Sequence, residues 1–215
     1  MVDDIIREID DDLRADRYKR LWQRYQNYVY AAAVLVVLGV AGYEYWQQRQ
    51  HAARAAEGAR FAAAMDQIDR GDLAGADQAL AALARDAGGG YATLARLYDA
   101  DVLAKKGDVD AALKLYDAVA ADDGVDRRFR DLALVLGAAR RVDHDDPASL
   151  TQRLQPVLGD DNPWRFSARE LIGVAALRTG NAAEARTDLT RLADDAAAPP
   201  GIRGRAAELL KTLGD

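Results

Sequence analysis

Cysteine is absent from all 215 residues. Disulfide frameworks, Cys-ligated zinc, iron–sulfur clusters and thiol nucleophiles are excluded with it. Histidine and serine are almost missing as well. His51 and His144 stand alone, as do Ser149 and Ser167, so a hydroxyl nucleophile with an imidazole base has little to be built from. Prolines number 5 and glycines 17, too few and too scattered for a collagenous or low-complexity chain. Aromatic residues make up only 7% of a chain that is 50% apolar, so Ala, Leu and Val carry the apolar share, and Ala with Leu favours helix. Basic residues number 29 against 35 acidic ones, a net charge of −6, and no long basic block occurs. The electrostatic footprint of a nucleic-acid binder is therefore missing.

Charge is also missing locally. Residues 25–43 form a run of 19 without one charged side chain, YQNYVYAAAVLVVLGVAGY, bounded by Arg24 and Glu44. At about 1.5 Å per residue, a helix of that length matches the roughly 30 Å hydrocarbon core of a bilayer. Trp22, Tyr25, Tyr28 and Tyr30 stand at one edge and Tyr43, Tyr45 and Trp46 at the other, the placement of two aromatic belts. A buried core helix rarely loses all charge over such a length. A cleaved signal peptide is disfavoured by the long acidic segment ahead of the run and the bulky aromatics directly after it. The reading is an uncleaved transmembrane anchor at 25–46, and no small-molecule substrate is expected. Arg7, Arg14, Arg17, Lys19, Arg20 and Arg24 precede the run and only Arg49, Arg54 and Arg60 follow closely, so residues 1–24 are expected in the cytoplasm and residues 47–215 on the far side. Within 1–24, Ile5, Ile9 and Leu13 recur at helical spacing, which gives an amphipathic segment that docks on protein or lies on lipid. Asp10, Asp11 and Asp12 would be repelled by anionic lipid, which favours protein.

Beyond the run, a short pattern repeats: Gly71-Asp72 with Ala76, Gly107-Asp108 with Ala112, and Gly180-Asn181 with Ala185. The first two copies are 36 residues apart and the next interval is 73, so a degenerate copy is expected between them, at Asp145-Asp146 with Leu150 in place of Ala. Downstream, Leu80, Tyr116, Leu154 and Leu189 share one register position and Leu83, Val119, Val157 and Leu192 another. Upstream, Ala64, Ala100, Ala138 and Gly173 share a third, and all four are small. Small residues facing each other let two helices approach, and the larger ones fill the remaining space. Gly ends the first helix in the left-handed conformation and Asp or Asn caps the second, which makes a helical hairpin.

This spacing resembles the tetratricopeptide repeat, with a period of about 34 residues. The resemblance covers four repeats, 57–92, 93–130, 131–165 and 166–200, followed by a solvating C-terminal capping helix at 202–213. The fold class expected is all-α: one transmembrane helix and then a tetratricopeptide-like solenoid of about four repeats. The family's Pro near the end of the second helix is replaced by Gly88, Gly124, Asn162-Pro163 and Ala197 before Pro199-Pro200. An acidic opening, the stretch Asp16-Arg17-Tyr18-Lys19-Arg20-Leu21-Trp22-Gln23-Arg24-Tyr25, one apolar span and Ala-rich repeats are together similar to bacterial membrane-anchored tetratricopeptide-repeat-like proteins grouped with the ancillary subunit of the Sec translocon. That resemblance implies a non-enzymatic inner-membrane scaffold, with a periplasmic domain that contacts translocon components, secreted chains or periplasmic chaperones. An envelope or cell-division assembly factor without translocon contact is the alternative. Carried onto this register, the family's groove-lining positions are Phe61, Met65, Leu97, Asp101, Lys105, Val135, Ala139, Glu170, Val174 and Arg178. Phe61, Leu97, Val135 and Val174 fit ordinary core equally well.

Other chemistry is sparse. Asp143-His144-Asp145-Asp146 carries donor types that bind divalent cations, but it falls at the third turn, where Asp and Pro147 serve as helix-start residues. Gly88-Gly89-Gly90 lacks the Lys-Ser/Thr of a phosphate loop and is expected to be a loop between repeats. No metal, cofactor or catalytic residue is expected.

Overall fold

The computed structural model describes the backbone of residues 2–214 and the side chains of residues 26 and 35–214. Among the described residues there are nine α-helices and no strand. The chain divides into two compact units, Met1–Ala56 and Glu57–Asp215. Helix α1, Val2–Asp69, begins in the first and ends in the second.

In the first unit, the described large apolar side chains of the run are more than half exposed. Leu35, Val36, Val37, Leu38, Val40, Tyr43, Tyr45 and Trp46 are each between 58% and 69% exposed. Among the described residues no helix is long and apolar enough to cross a membrane. For the expected span at 25–46 the side chains of residues 25 and 27–34 lie outside those described, and the expected amphipathic face of Ile5, Ile9 and Leu13 lies wholly outside them.

The second unit is a series of helical hairpins. The end of α1 pairs with α2 (Leu73–Asp86), α3 (Gly89–Lys105) with α4 (Val109–Ala120), α5 (Arg127–Arg141) with α6 (Pro147–Leu154), and α7 (Arg165–Arg178) with α8 (Ala182–Asp194); α9 (Pro200–Thr212) follows. The three Gly-Asp/Asn turns share one geometry. Gly71, Gly107 and Gly180 have φ of 79°, 91° and 76°, a region that a side chain enters only with strain. The amide of the next residue reaches back to the carbonyl five positions earlier, Asp72 to Gln67, Asp108 to Leu103 and Asn181 to Ala176, at 2.9, 3.0 and 2.9 Å. These are Schellman closures. The same Asp or Asn then caps the following helix: Oδ1 of Asp72, Asp108 and Asn181 accepts from the amides of Gly75, Ala111 and Glu184. The third turn lacks the glycine. There Asp146 caps α6 by accepting from the amides of Ala148 and Ser149, with Pro147 at the first helical position.

The register predicted from the repeats is the register of the core. Ala64, Ala100, Ala138, Leu80, Leu154, Leu189, Leu83, Val119 and Val157 are completely buried, and Tyr116 and Leu192 are 1% exposed. At the fourth small position, a Cβ on Gly173 would lie 3.0 Å from Leu189 Cδ2, so glycine is what lets α7 and α8 close. The core is four successive clusters, each built by three consecutive helices: Ala64 to Val102 from α1–α3, Leu97 to Ala133 from α3–α5, Val135 to Ala175 from α5–α7, and Phe166 to Ala206 from α7–α9. Each first helix serves two clusters. On α3, Ala95 and Val102 face backward while Leu97 and Ala100 face forward. A stack in which each repeat touches only its neighbours is the physics of a solenoid.

One expectation needs correction, and it concerns the glycine run. Gly89 and Gly90 are not loop; they open α3, with Gly88 as the residue before it, so the second repeat begins four residues ahead of the position expected. The third hairpin is more distorted than its neighbours. Its second helix has only 8 residues, and Pro156, which has no amide hydrogen to continue the ladder, turns the chain into the 3₁₀ turn Gln155–Val157.

Candidate functional site

The ten expected groove positions divide into three groups. Leu97 and Val135 are 4% and 7% exposed and belong to the core clusters, because each first helix packs on both neighbouring hairpins. They offer a partner almost no surface. Phe61 and Met65 pack at the edge of the first cluster, where Phe61 meets Tyr98 edge-on at 5.2 Å between ring centres and Tyr91 at 6.0 Å. Tyr98, absent from the expected set, is 42% exposed. Further along, Asp101 pairs with Lys105 at 2.8 Å and with Arg140 of α5, and Lys105 and Ala139 are exposed. Phe61, Met65, Tyr98, Asp101, Lys105 and Ala139 thus keep the mixed apolar and charged character that suits an extended or helical segment.

Of the remaining three, Glu170 and Arg178 are engaged by other parts of the chain and Val174 lines a cavity. Arg205 of α9 grips Glu170 with both ends of its guanidinium, at 2.6 and 2.8 Å. Val174 lies beside Leu209 in a cavity of about 420 Å³ under α9. Arg178 donates to the carbonyls of Val142 at 3.0 Å and Asp145, which ties α7 to the turn of the third hairpin.

A second concavity, which the repeat register did not indicate, lies between α4, α5 and α6. It encloses about 670 Å³, and none of the ten expected residues lines it. Arg127, Arg130 and Arg153 surround it with Asp117 and Asp131, and Ala120, Leu134 and Pro156 provide apolar wall. Its origin is local: α6 is short and Pro156 ends it. Both carboxylates are already engaged. Asp117 accepts from Arg141 at 2.7 Å and Arg153 at 3.2 Å, while Asp131, 8% exposed, accepts from the buried Asn162 amide at 2.8 Å with Arg127 at 3.6 Å. The sequence signal for this cleft was the degeneracy of the third repeat and Pro156, not any motif.

One further polar cluster links α2 and α3. Asp99, 6% exposed, faces Asp77, whose carboxylate accepts from Lys106. Burial first, and then the neighbouring Asp77 carboxylate, push the Asp99 carboxyl up to about 6. His144 is exposed in its turn, and among the described residues no group of three metal-ligating side chains converges.

In comparison with known proteins, the model of a family described as a tetratricopeptide repeat-like domain matches residues 19–200. Among curated proteins and among solved structures, none matches.

Proposed function

The chain belongs to the tetratricopeptide repeat-like domain family, and from that premise we propose a membrane-anchored, non-enzymatic scaffold whose repeats bind proteins at the Sec translocon and link export to periplasmic chaperones. Repeats of this type are protein-interaction modules, and that much follows from the family. The observation that carries the anchor is the run itself. Eight large apolar side chains between Leu35 and Trp46 are more than half exposed, and burial of such surface is worth about 25 cal/mol per Å². A helix apolar on all sides calls for a bilayer around it. The family match opens at residue 19, ahead of the repeats, so the apolar run lies within the shared region. The basic residues before the run keep the N-terminus in the cytoplasm and send the repeats to the periplasm of a bacterial inner-membrane protein. Tethering then converts weak association into local association, with effective concentrations that reach about the millimolar range.

Two measurements test this reading. A reporter active only outside the cytoplasm works when fused after Asp215 and fails when fused before Met1; the reverse result ends the export reading. Photo-crosslinkers at the exposed Lys105 and Ala139 capture translocon components, secreted chains or chaperones in cells, and capture more than one at Lys114 on α4. Crosslinks confined to envelope or cell-division proteins would replace the translocon with an assembly role.

A further inference from the structure

We propose that Asp77, Asp99 and Lys106 form a proton-operated latch between the first and second hairpins, which holds α2 against α3 while the two carboxyl groups share a proton and slackens that joint when the proton leaves. The placement of the three groups carries the inference. Asp99 lies on α3, 6% exposed, and its carboxyl stands within hydrogen-bond reach of Asp77 on α2. Lys106 follows two turns later on the same side of α3 and donates to Asp77. Two carboxyl groups therefore share one cation. The other cations of α3 are committed, Arg96 to Asp122 at 2.9 Å and Lys105 to Asp101 at 2.8 Å, and Arg140 of α5 also pairs with Asp101. Asp108, at the start of α4, acts in turn on Lys106, while Asp66, Asp69 and Arg70 at the end of α1 are exposed.

Burial gives the cluster two states. Like charges in contact are costly to carry together, so a proton on Asp99 lets its O–H donate to the Asp77 carboxylate, which Lys106 holds from the other side. Burial first, and then the Asp77 charge, raise the Asp99 carboxyl to about 6. Without the proton, Asp99 carries a charge whose Oδ1 is buried with no hydrogen-bond partner, a state that burial penalises. That oxygen reaches water only if α2 and α3 part locally. Because the folded value lies above the unfolded one, the latch is closed in acid and opens as pH rises through about 6. Leu80, Leu83, Ala95 and Val102 still hold the first cluster together, so the response is a local opening and not unfolding. Its place bears on binding, because Phe61 of α1 and Tyr98 of α3 meet edge-on between the same two hairpins.

Neither the anchor nor the translocon enters this inference. The test is hydrogen exchange of the full-length chain in mild detergent, read by mass spectrometry at pH 5 and pH 7.5 and corrected for the pH dependence of intrinsic exchange. With Asp99 at about 6 in the closed joint and about 3.9 in water, the joint opens about tenfold more often at pH 7.5. Peptides from α2 and α3 lose about tenfold in protection, while those from α5 and α6 keep theirs. Asp99→Asn, which retains a donor for Asp77 and cannot ionise, removes the difference. Lys106 is exposed, so Lys106→Gln keeps the fold, and loss of the one cation of the cluster moves the midpoint of the change to higher pH. A merely structural contact would not move that midpoint. Equal protection at both pH values, a difference that survives in Asp99→Asn, a midpoint that stays or moves down in Lys106→Gln, or a loss spread evenly over the whole chain each overturns the proposal.

Discussion

Gly173 provides a test in which two opposing effects are separable. In a helix interior, Gly→Ala is worth about 1 kcal/mol of stabilisation, because glycine gives up more backbone freedom on folding. Here the added Cβ would lie 3.0 Å from Leu189 Cδ2 and 3.1 Å from Leu189 Cγ, well inside the roughly 3.5–4.0 Å of favourable carbon contact. Leu189 is fully buried, so it has little room to retreat. Overpacking of this kind costs about 1–3 kcal/mol, and the steric cost outweighs the backbone gain: Gly173→Ala destabilises by about 1 kcal/mol net. In a Leu189→Ala background the clash partner is gone, and the same substitution stabilises by about 1 kcal/mol. Leu189→Ala alone costs about 2–5 kcal/mol. The measurement is a double-mutant cycle by urea unfolding of the fragment Glu57–Asp215, a compact unit with its own cores. Coupling of about 1–3 kcal/mol with a reversal of sign is expected. Additive effects would mean that α7 and α8 do not meet at Gly173 and Leu189, and the repeat register would be refuted with them.

Gly107 sits at φ 91°, so Gly107→Ala costs about 1–2 kcal/mol in the same unfolding assay, while Gly90→Ala, with open space and an ordinary φ at its position, costs nothing or stabilises. Native Asp99 holds its proton more tightly than an unfolded aspartate, at about 6 against about 3.9, so the stability tied to that proton is complete below about pH 4 and is lost as pH rises through about 6. Asp99→Asn, which keeps a donor for Asp77, therefore matches the parent at pH 4 and exceeds it by about 1–3 kcal/mol at pH 7.5 in parallel melts; a gap independent of pH would disprove the assignment.

The hairpins were legible because their turns are written in residue types with one physical use. A glycine at positive φ followed by Asp or Asn needs no tertiary context, and Gly71, Gly107 and Gly180 align on that pair alone. The small and large core positions were legible for a related reason, since Ala64, Ala100, Ala138 and Gly173 pack within their own hairpins. Groove and core could not be told apart at Leu97 and Val135. A first helix buries two faces, and which residues remain open depends on the neighbouring repeat rather than on the helix's own periodicity. The coverage of Glu170 by Arg205 depends likewise on how the last helix packs. The cleft at Arg127, Arg130 and Arg153 arises from a helix that stops early, and a repeat pattern carries no sign of its own irregularities.

The succession of cores, each assembled from three adjacent helices, also sets the order in which the chain is able to fold. No cluster waits for a distant segment: the first is complete once Val102 is present, the second at Ala133, the third at Ala175 and the last at Ala206. Contacts this local give fast folding. A chain that emerges from its N-terminus can close each hairpin onto the one before it while the rest is still being made. At every stage the unfinished boundary is a single helix face, so the apolar surface open to misassociation stays small and constant instead of growing with the length of chain released.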